Sequence, residues 1–372
     1  MNTNRKNALI IAYNDLNNSG VPNVIYQTIK SLSDFYNFDI VVFDNNTFYF
    51  NCLKNEGINN IKLIKFNDTK PLKRIKRFFW YIGFRNKSFF KQCNNLLRNN
   101  KYDVVHSFKE YDSWPFFKAC KKRGIQKRIL HGTVIHKTPS GLLNRHLYRK
   151  NKKLSLKYAT TFIGVSKLCC DSTFSNKNYS IIYNSYNESQ FNLDVINKLP
   201  YDRLVLTQIG TFNDNKNQLF SINVLFELLQ VYPNSYLKLI GKETGAGYLN
   251  QIKLRIKNTN LSNHVEIIDG TKGVGNNFEY TTFALMPSYQ EGAGITAIEA
   301  QACGIKVFAS TNVTKEMDAG GLISLSLESG PKEWAFKIFE EFKKSGNNRQ
   351  HYNLNRFSLN SFKKSIKSIY DN

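Results

Sequence analysis

Apolar residues along this chain recur in two registers: short unbroken runs, and longer stretches in which they return every third or fourth position. In the first half, Asn7–Tyr13, Phe38–Phe43, Ile61–Phe66, Asp103–His106, Arg128–His131, Thr161–Ser166 and Tyr179–Tyr183 predict strands, with a helix over Val21–Leu32. In the second half, strands are predicted at Arg203–Ile209, Ser235–Gly241 and His264–Asp269, with helices over Leu219–Leu229 and Tyr248–Lys257 between them. Residues 282–310 compress the pattern into one unit. Phe283–Met286 is a strand stopped by Pro287 and Ser288. After a loop containing Gly292 and Gly294, the residues Ile295, Ile298, Ala302 and Cys303 recur at helical spacing, and Ile305–Ala309 is a further strand. Helices over Lys332–Lys344 and 356–370 close the chain. Short apolar strands alternating with helices predict an α/β protein built on parallel sheets covered on both faces. The polar segment Asn192–Asp202, with Pro200, reads as a linker between a domain over 1–190 and another over 200–350.

A length of 372 residues, 41% of them hydrophobic, supports two domains with full cores and excludes a disordered chain. The six cysteines show no C-x-x-C pair, so reduced thiols in a cytoplasmic protein are expected. The first apolar run, Ala8–Tyr13, is read as a strand and not a signal peptide, and no run approaches the length of a membrane span. The net charge of +24 is unevenly distributed. Residues 1–190 hold 32 Lys and Arg against 11 Asp and Glu, leaving 20 against 17 of the totals 52 and 28, so +21 lies in the first half. Such a half suits nucleic acid, an anionic membrane or an acidic substrate. Its densest part, residues 70–92, interleaves eight Lys or Arg with seven aromatics and no acid. That composition fits an interfacial helix on anionic lipid, or a helix with a buried aromatic face and solvated charges.

Several loops carry candidate chemistry. Glu291 precedes the glycines of the 282–310 unit and Glu299 lies one helical turn into it, at the carboxyl edge of a parallel sheet, where ligands of such sheets bind. The N–H groups of Ala293, Gly294 and Ile295 at that helix start favour an anion, and the two acids suit accepting hydrogen bonds from hydroxyls. The plainer alternative is a capping residue and a solvated one. Gly210 and Lys216, between a strand and a helix, form a second anion cradle, and Gly20 ends a loop before the first helix. His106 and His131 end strands, and His136 follows. No group of histidines and acids has metal-ligand spacing.

The string Pro287, Ser288, Glu291, Gly292, Glu299, Ala300, Ala302, Gly304 resembles the PS-x-x-EG-x(6)-EA-x-A-x-G signature of the retaining glycosyltransferases of family 4. The resemblance extends over essentially the whole chain. It implies the GT-B fold, two Rossmann-like domains facing a central cleft, with the helix at 356–372 returning to the first domain. It also implies transfer of a sugar, with retention, from a nucleotide diphosphate sugar held between the domains to a hydroxyl of a glycan or lipid-linked acceptor. UDP is the expected nucleotide and bacterial surface polysaccharide assembly the expected setting, on the inner face of the plasma membrane with residues 70–92 as the contact. In that reading Lys216, Gly210, Thr211, Gly20 and the Gly292–Ile295 helix start meet the diphosphate. Glu291 grips sugar hydroxyls, Glu299 the ribose, and His131 faces the sugar. Thr211 stands where the family carries arginine, and Ser19-Gly20 where it carries Gly-Gly. No D-x-D pair is present, so neither a metal nor any other cofactor is expected. Nucleic acid is not expected as a partner, since it gives the glutamate pair no role.

Overall fold

A computed structural model describes residues 5–17, 19–66, 85–136, 138–193, 202–243, 247–270 and 278–372. The chain divides into two compact units, residues 1–184 with 359–372, and residues 185–358. Most of the basic-aromatic segment 70–92, including Lys73, Arg74, Lys76 and Arg77, lies outside the described residues, as does most of the linker.

The first unit alternates strand and helix: β1 (Lys6–Ile11), α1 (Gly20–Leu32), β2 (Tyr36–Val42), α2 (Phe48–Asn55), β3 (Ile61–Lys65), α3 (Arg85–Asn99), β4 (Val104–Ser107), α4 (Trp114–Lys122), β5 (Lys127–Gly132), α5 (Leu142–Tyr158), β6 (Thr161–Gly164), α6 (Lys167–Phe174) and β7 (Ser180–Ile181). The strands pair in parallel in the order β3-β2-β1-β4-β5-β6-β7. Because side chains alternate across a strand, β1 feeds two cores. Ala8 and Ile10 pack under α1, whereas Leu9 and Ile11 join Phe89, Phe116 and Phe117 on the other face. For two aromatics of the basic-aromatic segment, the alternative with a buried aromatic face is the one observed. Phe89 is fully buried and Phe90 packs on the same core, because α3 turns its apolar side to the sheet.

The second unit contains β8 (Leu204–Ile209), α7 (Gln218–Leu229), β9 (Ser235–Gly241), α8 (Tyr248–Asn258), β10 (Val265–Asp269), β11 (Phe283–Met286), α9 (Ile295–Ala302), β12 (Lys306–Ser310), β13 (Leu322–Leu325) and α10 (Gly330–Ser345). Its sheet runs β10-β9-β8-β11-β12-β13, with parallel pairing. In both sheets the order of connection reverses beside the first strand, between β1 and β4 and between β8 and β11. An open α/β sheet leaves a crevice beyond the carboxyl ends of two such strands. The sequence pattern did not reveal β13, a half-buried edge strand whose mixed LISL run lacks the fully apolar character of its neighbours.

The final helix, α11 (Leu359–Asp371), belongs to the first unit. Phe362, Ile366 and Tyr370 recur along one face and enter the core with α1, while Tyr370 meets Tyr36 edge-on at 5.1 Å. Lys127 Nζ donates to the Ile369 carbonyl at 2.9 Å. Ile366 is fully buried, so Ile366→Ala should destabilise the first unit by about 2–5 kcal/mol. Denaturant unfolding followed by circular dichroism checks this, and an unchanged midpoint would show that α11 adds no core.

Candidate nucleotide-sugar site

Beyond β8 the chain turns at Gly210 and runs to Asn217, which sits in the left-handed region (φ 58°) and caps α7. Side-chain bonds fix this loop: Gln208 Nε2 donates to the Lys216 carbonyl at 2.6 Å, and Ser221 Oγ donates to Gln208 Oε1 at 2.7 Å. The turn is also pressed from the side. A Cβ on Gly241, at the end of β9, would lie 2.0 Å from the Gly210 carbonyl oxygen, so only glycine fits there.

The loop beyond β11 is tied to the first. Asn215 accepts from the Tyr289 N–H at 2.8 Å through its carbonyl and donates through Nδ2 to the Gln290 carbonyl at 2.9 Å. These bonds bring Glu291 to Lys216, and the two side chains form an ion pair, 16% and 22% exposed. The sequence reading gave them separate ligand groups; in the structure each is also the other's partner. The physical reason is the adjacency of β8 and β11, which places two loops 75 residues apart in sequence side by side.

The start of α9 completes the arrangement. Gly294 is its N-cap in the left-handed region (φ 54°, ψ 38°), with Met317 beside it. The N–H groups of Ala293, Gly294 and Ile295 have no hydrogen-bond partner among the described residues, as the start of a helix leaves them. Gly292 does have a partner. Thr211 is exposed and its hydroxyl accepts from Asn213 Nδ2 at 2.9 Å. Gly20 is exposed as the first residue of α1, and nothing lies within 4 Å of a Cβ placed there.

In the first unit, His131 is fully buried on β5. Its Nδ1 lies 3.1 Å from His106 Nε2 on β4, and burial pushes its pKa down to about 3. His136 sits elsewhere, with its Nε2 2.5 Å from the carboxylate of Glu110. Glu110 escaped the sequence reading altogether. It is buried in the turn that follows β4, in the left-handed region (φ 49°), and Oε1 accepts from the N–H groups of Thr133 and Val134. A lone acid in a loop carries no sequence signal for such a position. Among the described residues, no group of three or more His, Cys, Asp or Glu is arranged to hold a metal ion.

Glu299 is set apart from Glu291 by its surroundings. It is half-buried on α9 and no described residue donates a hydrogen bond to it, so loss of water raises its pKa to about 8. The folded pKa exceeds the unfolded one, so the folded state binds more protons and stability falls as pH rises from about 4.5 towards 8. Glu299→Gln should abolish that decline and raise the melting temperature more at pH 8 than at pH 5. Parallel thermal melts of both proteins across this range check it; identical slopes would contradict the raised pKa.

Residues 189–318 match the family model described as glycosyl transferases group 1, a stretch that holds Gly210, Lys216, Glu291 and Glu299. The putative glycosyltransferase EpsF of Bacillus subtilis (strain 168) is 22% identical over 268 residues, covering 68% of this chain and 69% of that protein. Among solved structures, Anabaena HepE in complex with UDP and glucose superposes with a TM-score of 0.73 at 16% identity, over 99% of this chain and 100% of that one. WaaG, a glycosyltransferase involved in lipopolysaccharide biosynthesis, gives 0.66 at 13% identity, over 98% and 95%. The fold of the whole chain is therefore that of the GT-B glycosyltransferases, and residues 189–318 carry the sequence signature of glycosyl transferases group 1.

Proposed function

We propose that the protein is a retaining glycosyltransferase that moves a sugar from a nucleotide diphosphate sugar to a hydroxyl of a glycan or lipid-linked acceptor. UDP is the nucleotide of this reading, and bacterial surface polysaccharide assembly its setting. One observation carries it: Lys216, Glu291 and the unpartnered N–H groups of α9 converge beyond β8 and β11, at the crevice where an open α/β sheet binds ligands. The UDP complex of the similarly folded HepE supports the choice of nucleotide.

The chemistry follows from charge. Departure of the diphosphate and an oxocarbenium-like sugar both demand preorganised positive potential near the leaving group. Lys216 and the helix start supply it. Glu291 holds the ammonium at the loop edge and keeps an oxygen for a sugar hydroxyl. Glu299, short of donors, accepts from ribose hydroxyls, and that bonding favours its ionised form. No step requires a metal, so transfer should persist in excess EDTA.

A second reading, a nucleotide-sugar binder without turnover, is favoured by one feature. Thr211 leaves Lys216 without the family's arginine, and Glu291 already offsets the charge of that lysine. Turnover separates the two. Purified protein given UDP-sugars in excess EDTA should release UDP, and Lys216→Met should lower kcat/KM about a hundredfold. Donor binding with neither transfer nor donor hydrolysis would leave the binder.

Membrane association also belongs to this reading. No described helix is long and apolar enough to cross a membrane, so contact would be from the surface. Support comes from α5, which carries no acid. Leu142 is 86% exposed at its start, and Arg145, Arg149, Lys150, Lys153 and Lys157 are exposed along it. Cations beside exposed leucines suit an anionic interface, each adding up to about 1 kcal/mol. Replacing Arg145, Arg149 and Lys153 by Glu should reduce sedimentation with phosphatidylglycerol vesicles; unchanged sedimentation would exclude α5 as the contact.

A further inference from the structure

His131 stands at the end of a buried chain of hydrogen bonds that begins on the last helix. The Tyr370 hydroxyl on α11 lies 2.9 Å from His106 Nδ1, and His106 Nε2 lies 3.1 Å from His131 Nδ1. The imidazoles stack with centroids 5.2 Å apart and planes 5° from parallel, and Phe108 packs against both at 4.3 and 4.8 Å. Tyr370 is 2% exposed and both histidines are fully buried. The far nitrogen, His131 Nε2, is buried with no hydrogen-bond partner among the described residues.

Burial holds both imidazoles neutral near pH 7, so each ring carries one N–H and one lone pair. Two directions of donation are then available. If His106 Nδ1–H donated to Tyr370, His131 Nδ1–H would donate to His106. The buried tyrosine O–H would have no acceptor, and the His131 Nε2 lone pair no donor. If Tyr370 donates to His106 Nδ1, then His106 Nε2–H donates to His131 Nδ1, and only one group, His131 Nε2–H, lacks a partner. Unpaired buried polar groups are costly, and the second direction has fewer of them.

We propose that Tyr370 and His106 are positioning residues that fix His131 as the neutral tautomer protonated at Nε2. Combined with the reading that His131 faces the sugar, on which this role rests, it assigns the ring a definite part. Its Nε2–H, the one donor left without a protein acceptor among the described residues, becomes available to a ligand oxygen only where the buried ring is uncovered, and it does not serve as a base, because that nitrogen already holds its proton. The last helix thereby controls a residue on β5 whose position in sequence is 239 residues away (370 less 131).

Nitrogen-15 spectroscopy of histidine-labelled full-length protein at neutral pH tests the tautomer directly. The proposal expects His131, assigned by its absence in His131→Gln, as a neutral ring protonated at Nε2. An Nδ1-protonated or doubly protonated ring would overturn it. Tyr370→Phe keeps the packing and removes the first donor. It should convert His131 to a mixture of tautomers and slow transfer about tenfold, with a nearly unchanged melting temperature. A tautomer unmoved by Tyr370→Phe would remove the role of Tyr370. Wild-type protein with the expected tautomer but no transfer would uphold the chain of hydrogen bonds and refute the enzymatic reading instead.

Discussion

The reversal of strand order between β8 and β11 is the constraint on which the rest of the second unit depends. The segments leaving two adjacent parallel strands there run in opposite directions from the sheet, so their loops border a crevice that no crossover fills. Within the second unit, everything assigned to the site lies on these two loops or in the first turns of the helix after the second. Asn215 and Asn217 stitch the loops together through the backbone of Tyr289, Gln290 and Pro287, which holds Lys216 and Glu291 in register. The close approach of Gly241 to Gly210 fixes one wall, and the left-handed Gly294 fixes the other.

The electrostatics of this crevice are balanced. One cation is offset by one carboxylate, while a second carboxylate nearby prefers its proton because burial has taken its water. The N–H groups at the start of α9 add a partial positive charge that no described side chain neutralises. An anionic ligand therefore has two sources of attraction, and hydroxyls have two acceptors. In the first unit the corresponding edge is organised by Lys109, whose Nζ reaches the Tyr13 carbonyl at 2.7 Å and joins the loops after β1 and β4.

Much of this was legible in the sequence because parallel strands are short apolar runs, and β1, β8, β11 and β12 stand out as such between polar turns. The acids of the 282–310 unit were legible from their spacing on one loop and helix. Pairings made by the fold alone were not. Lys216 and Glu291 are 75 residues apart, and Tyr370 and His106 are 264 apart. No local pattern predicts such distances. Glu110 was missed because its strained backbone and its contact with His136 arise only when β4 and β5 lie side by side. The aromatic residues Phe89 and Phe90 fitted an interfacial or a buried face equally well by composition. Their burial depends on the direction α3 faces, which composition does not encode.

We propose that the crevice beyond β8 and β11 recognises a diphosphate through Lys216. Titration calorimetry of UDP and of uridine against wild-type protein and Lys216→Met tests it most directly. The substitution should weaken UDP binding by about tenfold or more, since a charge-assisted bond is lost, and leave uridine unchanged. Equal weakening of both ligands, or none for UDP, would contradict it.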